Sequence, residues 1–227
     1  MATRFPNTPT SHPPQCLFVG AAHLDRNGVL FDRSELGKSN PGRFKQFAGG
    51  AAFNVASIFA AHGGVADLCS ILGQDEAAKI IESACRQRAI GFHPQKSDAF
   101  PTASYTAIME PDGQLAIAVA DMSIYEAFDS QLIEWPQEEQ ASETWLCIDA
   151  NLPHDTIAKV VEKTSGPCAG LTTSSAKASR LAPLCPRFDV LFTNRAEAAA
   201  LAGADASCCY GNSGRPDRAG GKAGCDE

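Results

Sequence analysis

The stretch that decides the fold is "QFAGGAAFNVASIFAAHGG", residues 46–64, which joins a glycine pair to an apolar helical run. From Gly50 onward apolar side chains recur at helical spacing until a second glycine pair, which predicts a helix packed against a sheet. Gly49 and Gly50 either turn the chain into this helix or let a ligand approach the backbone, because glycine permits both. Asn54 is accordingly either a solvated helix residue or a ligand contact.

Working outward, short apolar runs alternate with helical patterns through most of the chain. This alternation predicts an α/β fold with a mostly parallel central sheet flanked by helices. Two segments interrupt it: residues 28–47 carry turn signals, and residues 102–120 hold two apolar runs around "PDG", which is typical of a hairpin. We expect these two segments to form a small β lid. The predicted buried strands include "CLFVG" (16–20), "VADLCSIL" (65–72), "TWLCID" (144–149) and "FDVLFT" (188–193).

Composition excludes several classes of function. A formal charge of −7 argues against a nucleic-acid partner, because such proteins concentrate Lys and Arg on one face. No apolar run approaches the roughly 20 residues that cross a bilayer, and the N-terminus lacks the apolar region of a signal peptide. We therefore expect a cytoplasmic protein without a membrane partner. The chain also contains no GxxxxGK[ST], GxSxG or HExxH motif.

Nine cysteines are scattered along the chain, and no two are three residues apart, so no CxxC metal or redox site is predicted. We expect Cys16, Cys69, Cys85 and Cys147 to be small buried hydrophobic residues.

The two ends of the chain differ from the rest in composition. Residues 1–15 are rich in proline and predict a disordered lead-in, and residues 205–227 have no helix or strand period and predict an unstructured tail.

Polar residues fall where predicted strands end, and in parallel sheets ligands gather at that edge. Each signal has a structural alternative. Asp25 follows the first strand, and Asp149 with Asn151 follows "WLCI" and could simply end that strand in water. Asn194 and Glu197 follow "VLFT" and have the spacing of a helix cap, which is compatible with a role at a phosphate group.

The order of these motifs resembles the ribokinase-like, or PfkB-type, carbohydrate kinases over residues 16–204. The matching phrases are "VGAAHLD" (19–25), "GGAAFNVA" (49–56) and "TNRAEAAALAG" (193–203). Within that family the chain is most similar to pseudouridine kinases, in "SNPGRFKQFAGGAAFNVA" (39–56), "ASYTAIMEPDGQLAIAVADMSIYE" (103–126), "CIDANLP" (147–153) and "SSAKASRL" (174–181).

The resemblance implies a role for each sugar-side residue. Asp25 would bind ribose hydroxyls, Gly49 and Gly50 would let the ribose approach the backbone, and Asn54 would hydrogen-bond the sugar. A carboxylate and an amide together offer acceptors and donors to vicinal hydroxyl groups, and a missing hydroxyl would leave them unpaired. Residues 28–47 and 102–120 would form a lid that excludes water.

On the nucleotide side, the resemblance places Asn194 near the ATP phosphates, with Glu197 organising Mg²⁺ and its waters. Asp149 or Asn151 would lie at the sugar or phosphate edge, and Lys177 would approach the substrate. The expected cofactors are thus ATP and Mg²⁺, and the expected partner is a small sugar or nucleoside. The oligomeric state stays open, with a homodimer through the β lid as one arrangement.

The resemblance predicts phosphorylation of a sugar or nucleoside, with pseudouridine and its 5′-hydroxyl as substrate and acceptor. Family members continue to a G-A-G-D segment that carries the catalytic aspartate, and no residue here is assigned that role. "AGCD" (223–226) stands too close to Asn194 and lacks a following helix, so we expect it to be coincidental. The alternative hypothesis is an inactive, truncated kinase-like protein that retains ribose or nucleoside binding, or dimerisation.

Overall fold

The computed structural model describes residues 12–135 and 142–203. The predicted tail at 205–227 lies outside the described residues, as does most of the predicted lead-in. Gln15, the last residue of that predicted lead-in, is the first residue of a strand.

A six-stranded sheet forms the centre of the molecule, and every strand in it runs parallel to its neighbours. Its order is β10-β9-β8-β1-β4-β5. The predicted α/β fold with a mostly parallel sheet is confirmed. The strands are β1 (Gln15–Val19), β4 (Val65–Leu72), β5 (Gly91–Lys96), β8 (Trp145–Asp149), β9 (Cys168–Leu171) and β10 (Val190–Phe192).

The other four strands form a second sheet in the order β3-β2-β6-β7. In it β2 pairs with β6 in parallel, while the β2–β3 and β6–β7 pairs are antiparallel. The sheet includes more residues than the two segments predicted to form the β lid, since it begins at residue 23 and its first hairpin runs to residue 49. Its strands are β2 (His23–Leu30), β3 (Gly42–Gly49), β6 (Ser104–Met109) and β7 (Leu115–Asp121).

Helices cover both faces of the central sheet because successive strand residues point to opposite sides. On β1, Phe18 packs into a cluster with Phe53 of α1 and Ile81 of α2. Val19 packs into the opposite cluster with Ile157 of α3. The helices are α1 (Ala51–Ala61), α2 (Glu76–Gln87), α3 (His154–Lys163), α4 (Ser175–Ala178) and α5 (Arg195–Leu201), and 3₁₀ turns span Ser123–Ala127, Ser130–Leu132 and Ala182–Arg187.

The cysteine prediction is confirmed: Cys16, Cys69, Cys85 and Cys147 are all buried free thiols. Burial raises the pKa of the thiols of Cys69, Cys85 and Cys147 to about 12, so they remain protonated at neutral pH. In the described ranges no helix combines the length and the apolar character needed to cross a membrane.

Strand β5 is absent from the sequence prediction. Its segment, "GFHPQK", contains a proline and no clear apolar alternation. Pro94 is tolerated because β5 is an edge strand that pairs only with β4, so one side of its backbone needs no partner. The segment therefore forms a strand because of its position at the sheet edge, and not because its sequence alternates between apolar and polar residues.

The glycine pair before α1 is explained by contacts inside the protein. Gly50 has a φ of 110°, a conformation that other residues rarely adopt, and a Cβ there would lie 2.3 Å from the carbonyl oxygen of Ala21. The Gly50 carbonyl accepts the first helical hydrogen bond, from the Asn54 N–H at 2.8 Å. Gly50 thus lets the chain turn into α1 directly against the segment that follows β1.

Candidate active site

The carboxyl ends of β1, β8, β9 and β10 meet at one edge of the parallel sheet, where the predicted site residues Asp149, Asn151 and Asn194 lie. The first hairpin of the second sheet joins this edge, since only three residues separate β1 from β2 and β3 leads into α1. The sequence therefore brings the predicted sugar-side residues near the ends of the parallel strands.

Asp149, the last residue of β8, is completely buried. One carboxylate oxygen accepts the backbone N–H groups of Ala21, at 2.7 Å, and Ala52, at 3.1 Å. The other accepts the N–H of Asn151 at 2.8 Å. Burial raises the pKa of the Asp149 carboxyl above its usual value, and the backbone donors counteract part of that shift.

This geometry does not support the predicted contact between Asp149 and a sugar. A side chain with no exposed surface has no face open to a hydroxyl group, and its acceptors are already used by three backbone donors. Asp149 instead fixes the chain after β1, the start of α1 and its own loop relative to one another. A strand-end carboxylate can face either solvent or a helix N-terminus, and sequence alone does not distinguish the two orientations.

Asp25 follows β1, as predicted, and lies within a second strand, β2, that was not predicted there from the sequence. Strand β2 starts at His23, so the chain re-enters a sheet almost at once. Asp25 is partly exposed, and its carboxylate leans over Gly49: a Cβ on Gly49 would lie 2.1 Å from Oδ2. A side chain at position 49 would therefore displace the Asp25 carboxylate from the place it occupies.

His23 is a residue that the sequence prediction missed. Its Nε2 lies 3.1 Å from Oδ1 of Asp25. Its Nδ1 is buried and has no hydrogen-bond partner among the described residues. The i, i+2 spacing of His23 and Asp25 would have placed both on one face of a strand, but only if the segment had been recognised as a strand.

Asn54 lies in the first turn of α1 and is exposed. Its side chain makes no hydrogen bond to a described residue. The amide therefore remains available to a ligand that approaches the start of α1, and exposure is equally consistent with the solvated alternative.

Two of the predicted substrate residues, Asn151 and Lys177, contact each other. The ammonium group of Lys177 in α4 donates to Oδ1 of Asn151 at 2.7 Å. Arg180 holds the same loop, because its guanidinium donates to the carbonyls of Asn151 and Leu152 at 2.8 and 3.0 Å. Burial, and then the positive charge of Arg180, lowers the pKa of Lys177 below its usual value.

Asn194 and Glu197 form the capping box that their spacing indicated. The Asn194 side chain accepts the Glu197 N–H at 2.9 Å, and the Glu197 carboxylate accepts the Asn194 N–H at 3.1 Å. The same Glu197 oxygen accepts the hydroxyl of Thr172, which follows β9. Asn194 is exposed while Glu197 is buried, so the amide faces outward and the carboxylate braces the loop.

The described residues offer few ligands for a metal ion at this edge of the sheet. In residues 12–135 and 142–203 no three His, Cys, Asp or Glu side chains come together as a metal cluster. Mg²⁺ bound beside nucleotide phosphates often needs only one or two carboxylates from the protein. Glu197 fits Mg²⁺ only as a single carboxylate acting with phosphate and water, and through Oε1, because Oε2 already accepts the Asn194 N–H and the Thr172 hydroxyl.

Replacing Asp149 with alanine should strongly destabilise the protein. Asp149→Ala leaves three buried backbone N–H groups without acceptors, and each costs on the order of 1 kcal/mol or more. We expect the free energy of unfolding in urea to fall by at least about 3 kcal/mol. Asp32→Ala, at an exposed loop residue, is the matched control and should change stability by less than about 0.5 kcal/mol. Equal losses in the two variants would contradict this role.

A parallel α/β sheet joined to a small β-sheet, with polar residues gathered at the carboxyl ends of the parallel strands, defines a ribokinase-like sugar-kinase fold. The family model described as "pfkB family carbohydrate kinase" matches residues 14–210. The chain belongs to the PfkB family of carbohydrate kinases, as the resemblance predicted.

Particular relatives agree with this assignment. A carbohydrate kinase from Agrobacterium tumefaciens superposes with a TM-score of 0.75 at 34% identity, covering 84% of this chain and 64% of that chain. The Arabidopsis thaliana ribokinase complexed with ribose and ATP has a TM-score of 0.65 at 18% identity, covering 85% of this chain and 64% of that one. The latter similarity shows the fold alone.

Among curated proteins, the pseudouridine kinase of Escherichia coli (strain K12) is 25% identical over 191 residues, which is 82% of this chain and 60% of the relative. The pseudouridine-metabolizing bifunctional protein of Schizosaccharomyces pombe is 28% identical over 173 residues, or 70% of this chain and 23% of the relative. The chain thus spans less than two thirds of the length of these relatives.

Proposed function

We propose that this chain acts in ATP-dependent phosphorylation of a sugar or nucleoside, with pseudouridine as substrate and its 5′-hydroxyl as acceptor. Membership of the PfkB family supports the reaction class. The similarity to the E. coli pseudouridine kinase supports the choice of nucleoside.

The observation that carries the proposal is the position of Asp25. Its carboxylate lies over Gly49, which comes directly before the N-cap residue Gly50 of α1, and Asn54 is exposed on the first turn of that helix. A carboxylate acceptor and a free amide thus flank the same glycine pair. This arrangement suits a vicinal diol, whose two hydroxyl groups can donate to the carboxylate while the amide supplies both a donor and an acceptor.

The second sheet supplies the proposed lid. Asp25 is on β2, whose register places it beside Phe47 of β3 and Tyr105 of β6. A substrate held by Asp25 would therefore lie against this sheet, and closure of the sheet over it would exclude water, which competes with the acceptor hydroxyl for the phosphoryl group.

On the nucleotide side we propose that Asn194 contacts the ATP phosphates and that Glu197 holds Mg²⁺ through water. Bound Mg²⁺ would supply neutralisation of the charge on the transferred phosphoryl group. Lys177 and Asn151 are proposed to lie at the phosphate or substrate edge, where Arg180 fixes their loop. In phosphoryl transfer such positioning and charge stabilisation provide most of the catalysis. No described residue is proposed as the base that takes the hydroxyl proton.

Turnover is tested by a coupled assay for ADP release. The purified chain is supplied with Mg²⁺ and ATP, together with pseudouridine, ribose or adenosine. We expect ADP release to be fastest with pseudouridine. Faster release with ribose or adenosine would contradict the proposed substrate. Nucleoside binding without any ADP release would favour the alternative of an inactive nucleoside-binding protein.

The sugar-side residues are tested by calorimetry with pseudouridine. Asp25→Ala and Asn54→Ala should each weaken binding by more than about 1 kcal/mol, because each removes a hydrogen-bond partner of the ligand. Asn27→Ala is the matched control, since Asn27 lies two residues along β2 from Asp25 and makes no hydrogen bond to a described side chain. Unchanged affinity in both site variants would refute the assignment.

We also propose a homodimer through the outer face of the second sheet. Leu115, Ile117 and Val119 alternate along β7 and are each more than half exposed, and Phe44 of β3 shares their face through the paired row Phe44, Gly28, Ile108 and Ile117. A contiguous exposed apolar strip is typical of an interaction surface.

Sedimentation velocity tests this dimer. Ile117→Lys would bury a charge in the interface and should shift the protein to the monomer. Gln114→Lys is the control, because Gln114 is exposed in the hairpin turn just before β7 and not on the apolar strip. A wild-type monomer at micromolar concentration, or a dimer unaffected by Ile117→Lys, would contradict the proposal.

A further inference from the structure

His23 and Asp25 form a side-chain pair on one face of β2. Nε2 of His23 lies 3.1 Å from Oδ1 of Asp25, and the two side chains are only 13% and 21% exposed. A contact that is largely shielded from water is stronger than the same contact on the surface. Among the described residues, His23 supplies the one polar side-chain contact of the Asp25 carboxylate.

Gly49 explains why the carboxylate of Asp25 can reach His23. The register of the hairpin pairs His23 directly with Gly49 and Asp25 with Phe47. Because Gly49 has no side chain, the Asp25 carboxylate occupies the space above it, and a Cβ there would meet Oδ2 at 2.1 Å and Oδ1 at 3.2 Å. The carboxylate thus leans along the strand toward His23 instead of pointing outward.

We propose that His23 is a positioning residue, whose Nε2–H holds the Asp25 carboxylate in the orientation that receives the substrate hydroxyl groups. This inference rests on the proposed function, in which Asp25 binds the sugar. One carboxylate oxygen is then held by the imidazole, and the other, over Gly49, remains as the acceptor for the ligand. His23 itself does not touch the substrate.

The second ring nitrogen supports this assignment. Nδ1 of His23 is buried without a partner, which is unfavourable for a polar atom. An apolar side chain of similar size would fill the same space without that cost. The contact through Nε2 is therefore the polar interaction that the structure gives to this imidazole.

Three substitutions of His23 distinguish the contributions of its two ring nitrogens to pseudouridine affinity, which calorimetry measures. His23→Gln places an amide nitrogen near the position of Nε2 and keeps the contact with Asp25. His23→Asn places its amide near the position of Nδ1 and loses that contact, and His23→Leu loses both. We expect affinity to fall about tenfold in the Leu and Asn variants and by less than about threefold in the Gln variant, as for loss or retention of a charge-assisted hydrogen bond. Urea unfolding of each variant provides the stability control.

The outcomes separate this inference from the proposed function. If Asp25→Ala abolishes binding while His23→Leu leaves it unchanged, the inference is wrong and the proposed function stands. Binding retained by His23→Asn but lost by His23→Gln would also overturn it, because the ligand would then be using Nδ1. If neither Asp25→Ala nor His23→Leu affects affinity, Asp25 is not a sugar ligand and the proposed function is at fault.

A measurement without ligand tests the contact itself. In ¹⁵N-histidine NMR spectra of the neutral imidazole, the His23 signals should show the hydrogen on Nε2. His23→Gln assigns those signals among the five histidines of the chain. Asp25→Ala should remove the preference for this tautomer. A hydrogen on Nδ1 in the wild-type protein would overturn the inference whether or not any nucleoside binds.

Discussion

The buried carboxylate of Asp149 is the interaction on which the arrangement of the site depends. It accepts backbone N–H groups from the segment after β1, the start of α1 and the loop after β8. Gly20 makes this approach feasible, since a Cβ there would lie 2.4 Å from the Asp149 carboxyl carbon. The three segments that lead to Asp25, Asn54 and Asn151 are consequently tied to one point, and displacement of any one would leave a buried polar group without a partner.

The two glycines before α1 act within the same constraint but serve different neighbours. Gly50 turns the chain at a positive φ against the backbone of Ala21, whereas Gly49 leaves room for the Asp25 carboxylate. The sequence left open whether the glycine pair turns the chain or permits a close approach. In the structure Gly50 provides the turn, and Gly49 permits the close approach. Both glycines make room for groups of the protein itself, the Ala21 backbone and the Asp25 carboxylate. The glycine pair would therefore affect a ligand only through the position of Asp25.

Much of the fold could be predicted because its signals are local. Apolar runs ending in turn residues located most of the central strands, and the Asn194 and Glu197 spacing predicted a capping box that the structure contains. The features that the sequence did not reveal share a different cause. Strand β5 carries Pro94 and is defined by its place at the sheet edge, and Asp149 is turned inward by donors that lie 97 and 128 residues away. That His23 and Asp25 share one face of a strand became evident only because β2 begins at His23.

By itself, the sequence determined the α/β class, the order of the motifs and the family that they resemble, because these follow from periodicity, turn residues and short phrases. Only the tertiary structure decided which polar groups are open to a ligand and which are used internally. That decision depends on contacts between distant segments: Asp25 beside His23 and Gly49, Lys177 on Asn151, and Asp149 buried under two chain segments. Burial and hydrogen-bond pairing are properties of the packed molecule, so residue type and spacing alone do not fix them.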